Sequence, residues 1–113
     1  MKNNNINYIE FKSHNIQETK SFYTNAFSWK FTDYGPNYIA FSESGLDGGF
    51  EFSSTEIING ALIVLYFDDL ETIKKRIVSF GGKISVDTFD FPGGKRFQFL
   101  DPSGNELAVW SDK

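Results

Sequence analysis

The chain has 113 residues, 11 Lys and Arg against 15 Asp and Glu, and a formal net charge of −4, a length that suits one domain able to bury roughly two thirds of its unfolded surface. It contains no cysteine, which excludes a disulfide framework, a thiolate metal site and a cysteine nucleophile. It also lacks the clustered basic surface that phosphate contacts need, the roughly 18-residue apolar run of a membrane span and an apolar leader segment, so neither nucleic acid nor membrane is an expected partner and the expected location is cytoplasmic.

Thirteen Phe, five Tyr and two Trp are many rings for so short a chain, and they must pack a core, line a groove, or do both. After a polar MKNN start, residues 6–11 alternate: Ile6, Tyr8 and Glu10 on one face, Asn7, Ile9 and Phe11 on the other. That period of two predicts a first strand. Asn15 followed by Glu18 resembles a capping box, and Ile16, Thr19, Tyr23 and Phe27, with Phe22 alongside, recur at helical spacing, so a helix is expected to about Ala26. His14, the only histidine, falls in the loop before it and reads as a solvated residue. Residues 29–32, 38–42 and 49–53 then read as three short strands separated by turn-forming Tyr34-Gly35-Pro36-Asn37 and Gly45-Leu46-Asp47-Gly48.

Residues 54–60 are polar and aperiodic, and beyond them the pattern begins again. An apolar strand over 62–67 leads to Asp68 and Glu71, read as a second capping box, and Leu70, Ile73, Ile77 and Phe80 form the expected buried stripe of a second helix that Gly81-Gly82 ends. Lys74-Lys75-Arg76 reads as its solvated face. Three strands follow at 83–91, 95–100 and 106–111. In the second of these Phe97 and Phe99 share one face and Arg96, Gln98 and Leu100 the other. In the third, Leu107 and Val109 oppose Glu106, Ala108 and Trp110. Asp101-Pro102-Ser103-Gly104-Asn105 is a tight turn in which the aspartate side chain can accept from nearby backbone N–H groups. Gly48-Gly49 and Gly93-Gly94 read as turn glycines and not as a phosphate loop, because no helix start follows either pair.

The chain is therefore expected to be a single domain, 1–113, of two βαβββ modules, 5–53 and 61–112, joined by the linker 54–60. An offset of 54 residues lays Tyr8 on Leu62, Asn15 on Asp69, Ile16 on Leu70 and Tyr23 on Ile77. One helix covers only one face of a four-stranded sheet, so the other face is expected to meet the second half or a second chain around a cavity. Alternation assigns Tyr8, Glu10, Glu51, Tyr66, Arg96, Gln98, Glu106 and Trp110 to that uncovered side as candidate ligand-binding residues. Their neighbours Ile9, Phe11, Phe50, Phe52, Phe97, Phe99, Leu107 and Val109 make the better helix-facing core. Glu10 is the candidate for proton transfer, since a carboxylate among rings has a raised pKa. The structural alternative is a salt bridge to Arg96 that only fixes the wall.

Four stretches carry a family resemblance: Tyr8-Ile9-Glu10-Phe11, Ser21-Phe22-Tyr23 with Phe27-Ser28-Trp29, Asp68-Asp69-Leu70, and FPGGKRFQFLDPSGNELAVW. With the tandem modules, the chain resembles the vicinal oxygen chelate superfamily, which includes glyoxalase I, extradiol dioxygenases and the fosfomycin- and bleomycin-resistance proteins. The resemblance implies an α+β fold in which tandem βαβββ modules form a curved sheet around a cleft, and a homodimer. It also implies where metal ligands would fall: Tyr8 and Leu62 on the first strands, Glu51 and Ala108 on the last. Leu and Ala offer no lone pair and a neutral phenol is a poor ligand, so no metal and no cofactor is expected. What it implies for function is a metal-free protein of the bleomycin-resistance type, holding an aromatic or cationic small molecule in an aromatic, acid-lined cleft. The alternatives are a metal-dependent lyase, isomerase or dioxygenase-like enzyme with a non-standard site around Glu10 and Glu51, and a module that binds a partner protein through the same groove.

Overall fold

The structure, a computed structural model, describes residues 2–4 and 6–113. Met1 of the polar start and Asn5, the first residue of the expected first module, lie outside the described residues. The chain divides into a compact unit that ends at Glu56 and another over Ile57–Lys113. The first holds β1 (Ile9–Ser13), α1 (Ile16–Phe27), β2 (Lys30–Asp33), β3 (Tyr38–Ser42) and β4 (Gly48–Phe52). The second holds β5 (Ile63–Tyr66), α2 (Leu70–Ser79), β6 (Lys83–Phe91), β7 (Gly94–Leu100) and β8 (Glu106–Ser111). Each unit is a four-stranded sheet, β1-β4-β3-β2 in one and β5-β8-β7-β6 in the other, with the first strand parallel to the last. The architecture is α+β, built from two βαβββ modules.

Both helices start where a side chain satisfies an orphan N–H. Asn15 accepts from the Glu18 amide and Asp69 from the Thr72 amide, each from extended backbone. The second cap is thus Asp69, one residue after the expected Asp68 and at the position the repeat aligns with Asn15. α1 lays Phe22, Tyr23 and Ala26 on the sheet, where Tyr23 packs 5.0 Å from Phe50 and stacks at 4.7 Å on Trp29, and Trp29 meets Phe41 at 4.6 Å. α2 buries Leu70, Ile73 and Ile77, and in the second sheet Phe97, Phe99, Leu107 and Val109 are wholly buried. The alternation in β7 and β8 therefore sorts core from surface as expected except at Ala108, which is wholly buried on the other side.

Several expectations at element ends are corrected. β1 starts at Ile9 and not at Ile6, because its parallel partner begins with Gly48 opposite Ile9; Ile6 is left exposed. Phe52 is 44 % exposed and no core residue, since it lies one step past the last β3–β4 pair, Tyr38–Glu51. Phe80, expected in the buried stripe, is 45 % exposed as the C-cap of α2. Leu62 precedes β5. Gly48 and Gly49 are strand residues of β4: a Cβ on Gly48 would collide with the Ile9 carbonyl, and one on Gly49 with the Tyr38 ring and hydroxyl.

The turn between β7 and β8 is organised by one buried carboxylate. Asp101 Oδ1 accepts from the amides of Ser103, Gly104 and Asn105, each at 2.9 Å, while Oδ2 accepts from the Asn105 side-chain amide at 2.9 Å. Gly104 has φ +101, which glycine adopts without strain. Asp101→Ala leaves buried donors without an acceptor, and the expected loss is roughly 2–4 kcal/mol in urea denaturation, whereas the exposed Asp90→Ala should change stability by less than about 0.5 kcal/mol.

Candidate functional site

In the first unit, the sheet face turned away from α1 is built by the residues that alternate with Ile9, Phe11, Ile39, Phe41 and Phe50. Tyr38 lies across β4 over Gly49, the position without a side chain. Its hydroxyl donates to Glu10 Oε1 at 3.0 Å. Because that hydrogen is committed, the 2.6 Å contact between the Tyr8 and Tyr38 hydroxyls runs from Tyr8 to Tyr38. Lys12 Nζ then joins the two carboxylates, bonding Glu51 Oε1 and reaching Glu10 Oε2 at 3.5 Å. Burial first, and the hydrogen bond to Glu10, hold the Tyr38 phenol well above its ordinary value. The hydrogen bond that Lys12 donates to Glu51 raises the pKa of its ammonium.

In the second unit the corresponding face carries a polar ladder and a cluster of rings. Arg96 Nη2 donates to Gln98 Oε1 at 3.3 Å, Gln98 Nε2 to Glu106 Oε2 at 3.2 Å, and Ser85 Oγ to the same Glu106 oxygen at 2.7 Å. Arg96 is the cross-strand neighbour of both Phe89 and Trp110, and its guanidinium lies over the Phe89 ring, 5.2 Å from the centroid. Trp110 meets Tyr66 edge to face at 5.2 Å and Phe91 at 6.2 Å. Tyr66 is pinned in turn by a 2.6 Å hydrogen bond from its hydroxyl to Asp112 Oδ1, which raises the phenol and lowers the carboxyl.

The described residues thus bring Tyr8, Glu10 and Glu51 into one cluster, and Tyr66, Arg96, Gln98, Glu106 and Trp110 into another. Within these clusters Glu10 is bonded to Tyr38 and Lys12, and Arg96 to Gln98. Several members were not anticipated. Tyr38 follows from the alternation of β3, where it opposes Ile39 and Phe41, and Lys12 follows from β1 once that strand runs on to Ser13. Phe89 and Phe91 are different: register irregularities between Ile84 and Val86 and between Val86 and Phe89 break the period of two, so counting cannot assign them a face. His14 is exposed and its Nε2 lies 2.9 Å from the Thr55 carbonyl. A separate cleft of about 490 Å³ opens at the start of α2, with Asp69, Glu71, Lys95 and Lys113 around it and none of the eight candidate residues.

The model of the Glyoxalase/Bleomycin resistance protein/Dioxygenase superfamily matches residues 5–109. The chain belongs to this superfamily. No curated protein matches it. Among solved structures, a glyoxalase-related enzyme from Fulvimarina pelagi is similar at TM-score 0.82 and 16 % identity, covering 96 % of this chain and 88 % of that one. A fosfomycin resistance protein from Listeria monocytogenes, complexed with Mn(II) and 1S,2S-dihydroxypropylphosphonic acid, is similar at TM-score 0.81 and 15 % identity, covering 96 % and 90 %. Lactoylglutathione lyase from Agrobacterium tumefaciens is similar at TM-score 0.71 and 16 % identity, covering 98 % and 96 %.

The four positions where the family resemblance implies metal ligands offer few donors. Leu62 and Ala108 carry none, and Ala108 is wholly buried beside Gln98 and Val64. Glu51 is bonded to an ammonium, and the Tyr8 hydroxyl donates to Tyr38. Among the described residues no group of three or more His, Cys, Asp or Glu could hold a metal ion.

The Tyr38 network has a consequence for pH. An unfolded phenol ionises near 10 and the folded one later, so the unfolded state releases a proton first and stability falls as pH rises above 10. In urea denaturation between pH 9 and 11, the wild type should lose stability more steeply than Tyr38→Phe. Equal slopes would mean that the phenol is not held in its neutral form.

Proposed function

We propose that this chain is a metal-free small-molecule-binding member of the superfamily, holding an aromatic or cationic ligand on the helix-free faces of its sheets. The observation that carries the reading is Trp110. Its ring is half-buried on an otherwise open face, braced by Tyr66 and Phe91, and Tyr66 is itself fixed by Asp112. A ring held in place before binding loses little freedom on contact, which favours stacking with a flat ligand.

Geometry favours the aromatic ligand over the cationic one. Glu10 and Glu51 already have Lys12 as their counter-charge, and a ligand cation would have to displace it. The same ammonium weighs against the alternative of a metal-dependent lyase, isomerase or dioxygenase-like enzyme at these carboxylates. The reading includes a homodimer and a cytoplasmic location, the first open to light scattering and the second to fractionation.

Titration with benzamide and benzylamine tests the binding reading through tryptophan emission, because the only other indole, Trp29, is buried against Tyr23. A saturable change that Trp110→Phe abolishes is expected, with affinity about tenfold weaker in Tyr66→Ala. No saturable change with either compound would count against the reading. Elemental analysis of protein purified without chelator should find metal well below one equivalent. Stoichiometric metal that Glu51→Ala loses would overturn the metal-free part.

A further inference from the structure

We propose that Arg96 is the anion-binding group of the second sheet's open face, so that the ligand is an aromatic acid with its ring on Trp110 and its carboxylate on the Arg96 guanidinium. The inference rests on the binding reading above and narrows it to a chemical class.

An arginine side chain has five N–H donors, no acceptor, and a permanent charge. Arg96 is half-buried, yet among the described residues it forms no ion pair. One of its donors is used, by Gln98 Oε1. Its Nε is buried with no hydrogen-bond partner. Partly desolvating a guanidinium without an anion is unfavourable, and a buried N–H with no acceptor adds to the cost. A bound carboxylate at the exposed end of the guanidinium removes the first of these costs.

The surroundings hold the group ready for such a partner. Glu106 is the carboxylate of the same polar ladder, and it is committed to Gln98 and Ser85. By accepting from the Gln98 amide nitrogen, it turns the Gln98 carbonyl toward Arg96 and so sets one end of the guanidinium. The Phe89 ring lies against one face of the cation. Among the described residues the hydrogen bond of Arg96 is the one from Nη2 to Gln98, which leaves the Nη1 end to a ligand. A planar anion with two oxygens fits a planar fork of N–H donors better than a point charge does. Trp110 is the cross-strand neighbour of Arg96, so a ring joined directly to that anion falls on the aromatic cluster.

Benzoate and benzamide differ in charge and little in shape, and comparing them isolates the Arg96 contribution. In the wild type, benzoate is expected to bind at least tenfold more tightly than benzamide or benzylamine by Trp110 emission. Arg96→Met should abolish the preference for benzoate over benzamide, and Arg96→Lys, which keeps charge and loses the fork, should retain only part of it. In the unaltered protein, the Arg96 Nε–H resonance should move with benzoate and stay in place with benzamide, a readout independent of whether the variants fold. Equal affinity for benzoate and benzamide, tighter binding of benzylamine, or a benzoate preference that persists in Arg96→Met would overturn the inference and leave the aromatic-binding reading standing. If no aromatic compound binds at all, that reading fails and takes the inference with it.

Discussion

A helix about 10 Å across cannot cover both faces of a sheet whose four strands span some 15 Å. In this chain each sheet has a single helix, and the consequences run through both units. The helix-facing sides take up Phe50, Ile39, Phe97, Phe99, Leu107 and Val109, all wholly buried. The opposite sides are left with Tyr8, Glu10, Tyr38 and Glu51 in one unit and with Tyr66, Arg96, Gln98, Glu106 and Trp110 in the other. Residues at those positions have no helix to pack against. They bond to one another instead, and what they leave unbonded determines what they can recognise.

The two faces differ in that respect. On the first, charges are matched: Lys12 sits between two carboxylates, and the tyrosine hydroxyls pass their hydrogens in one direction toward Glu10. Gly49 makes this possible, because any side chain there would occupy the place of the Tyr38 phenol. On the second face the polar ladder ends on a guanidinium with an orphan N–H beside an indole. A matched network is a poor recruiter of ions, whereas a half-buried cation without its anion is a strong one. The protein's net charge of −4 does not decide between them, since beyond roughly 8 Å at physiological salt distant charges are largely screened.

Much of this was legible in the chain itself. Alternation in β7 and β8 separated core from open face at every position but the wholly buried Ala108, and the repeat at an offset of 54 placed the second helix cap on Asp69 even where the local motif pointed to Asp68. The aspartate turn also read correctly, because an Asp-Pro-Ser-Gly-Asn run has few other ways to satisfy its amides. What escaped was set by partners distant in sequence. The start of β1 depends on where β4 begins, the strand role of Gly48 and Gly49 on the Ile9 backbone and the Tyr38 ring, and the facing of Phe89 and Phe91 on two breaks in ladder register. Such breaks leave no periodic trace in the residues themselves.

In the proposed function the open face of the second sheet, and not the aromatic core of the first unit, binds small molecules. Trp110 and Trp29 report on the two separately, one half-buried among Tyr66, Phe91 and Arg96 and the other buried between Tyr23 and Phe41. The most direct measurement follows the two indole N–H resonances while benzamide is added to the unaltered protein. A saturable shift of the Trp110 signal is expected, with the Trp29 signal unmoved. A shift of Trp29 alone, or of neither, would contradict it.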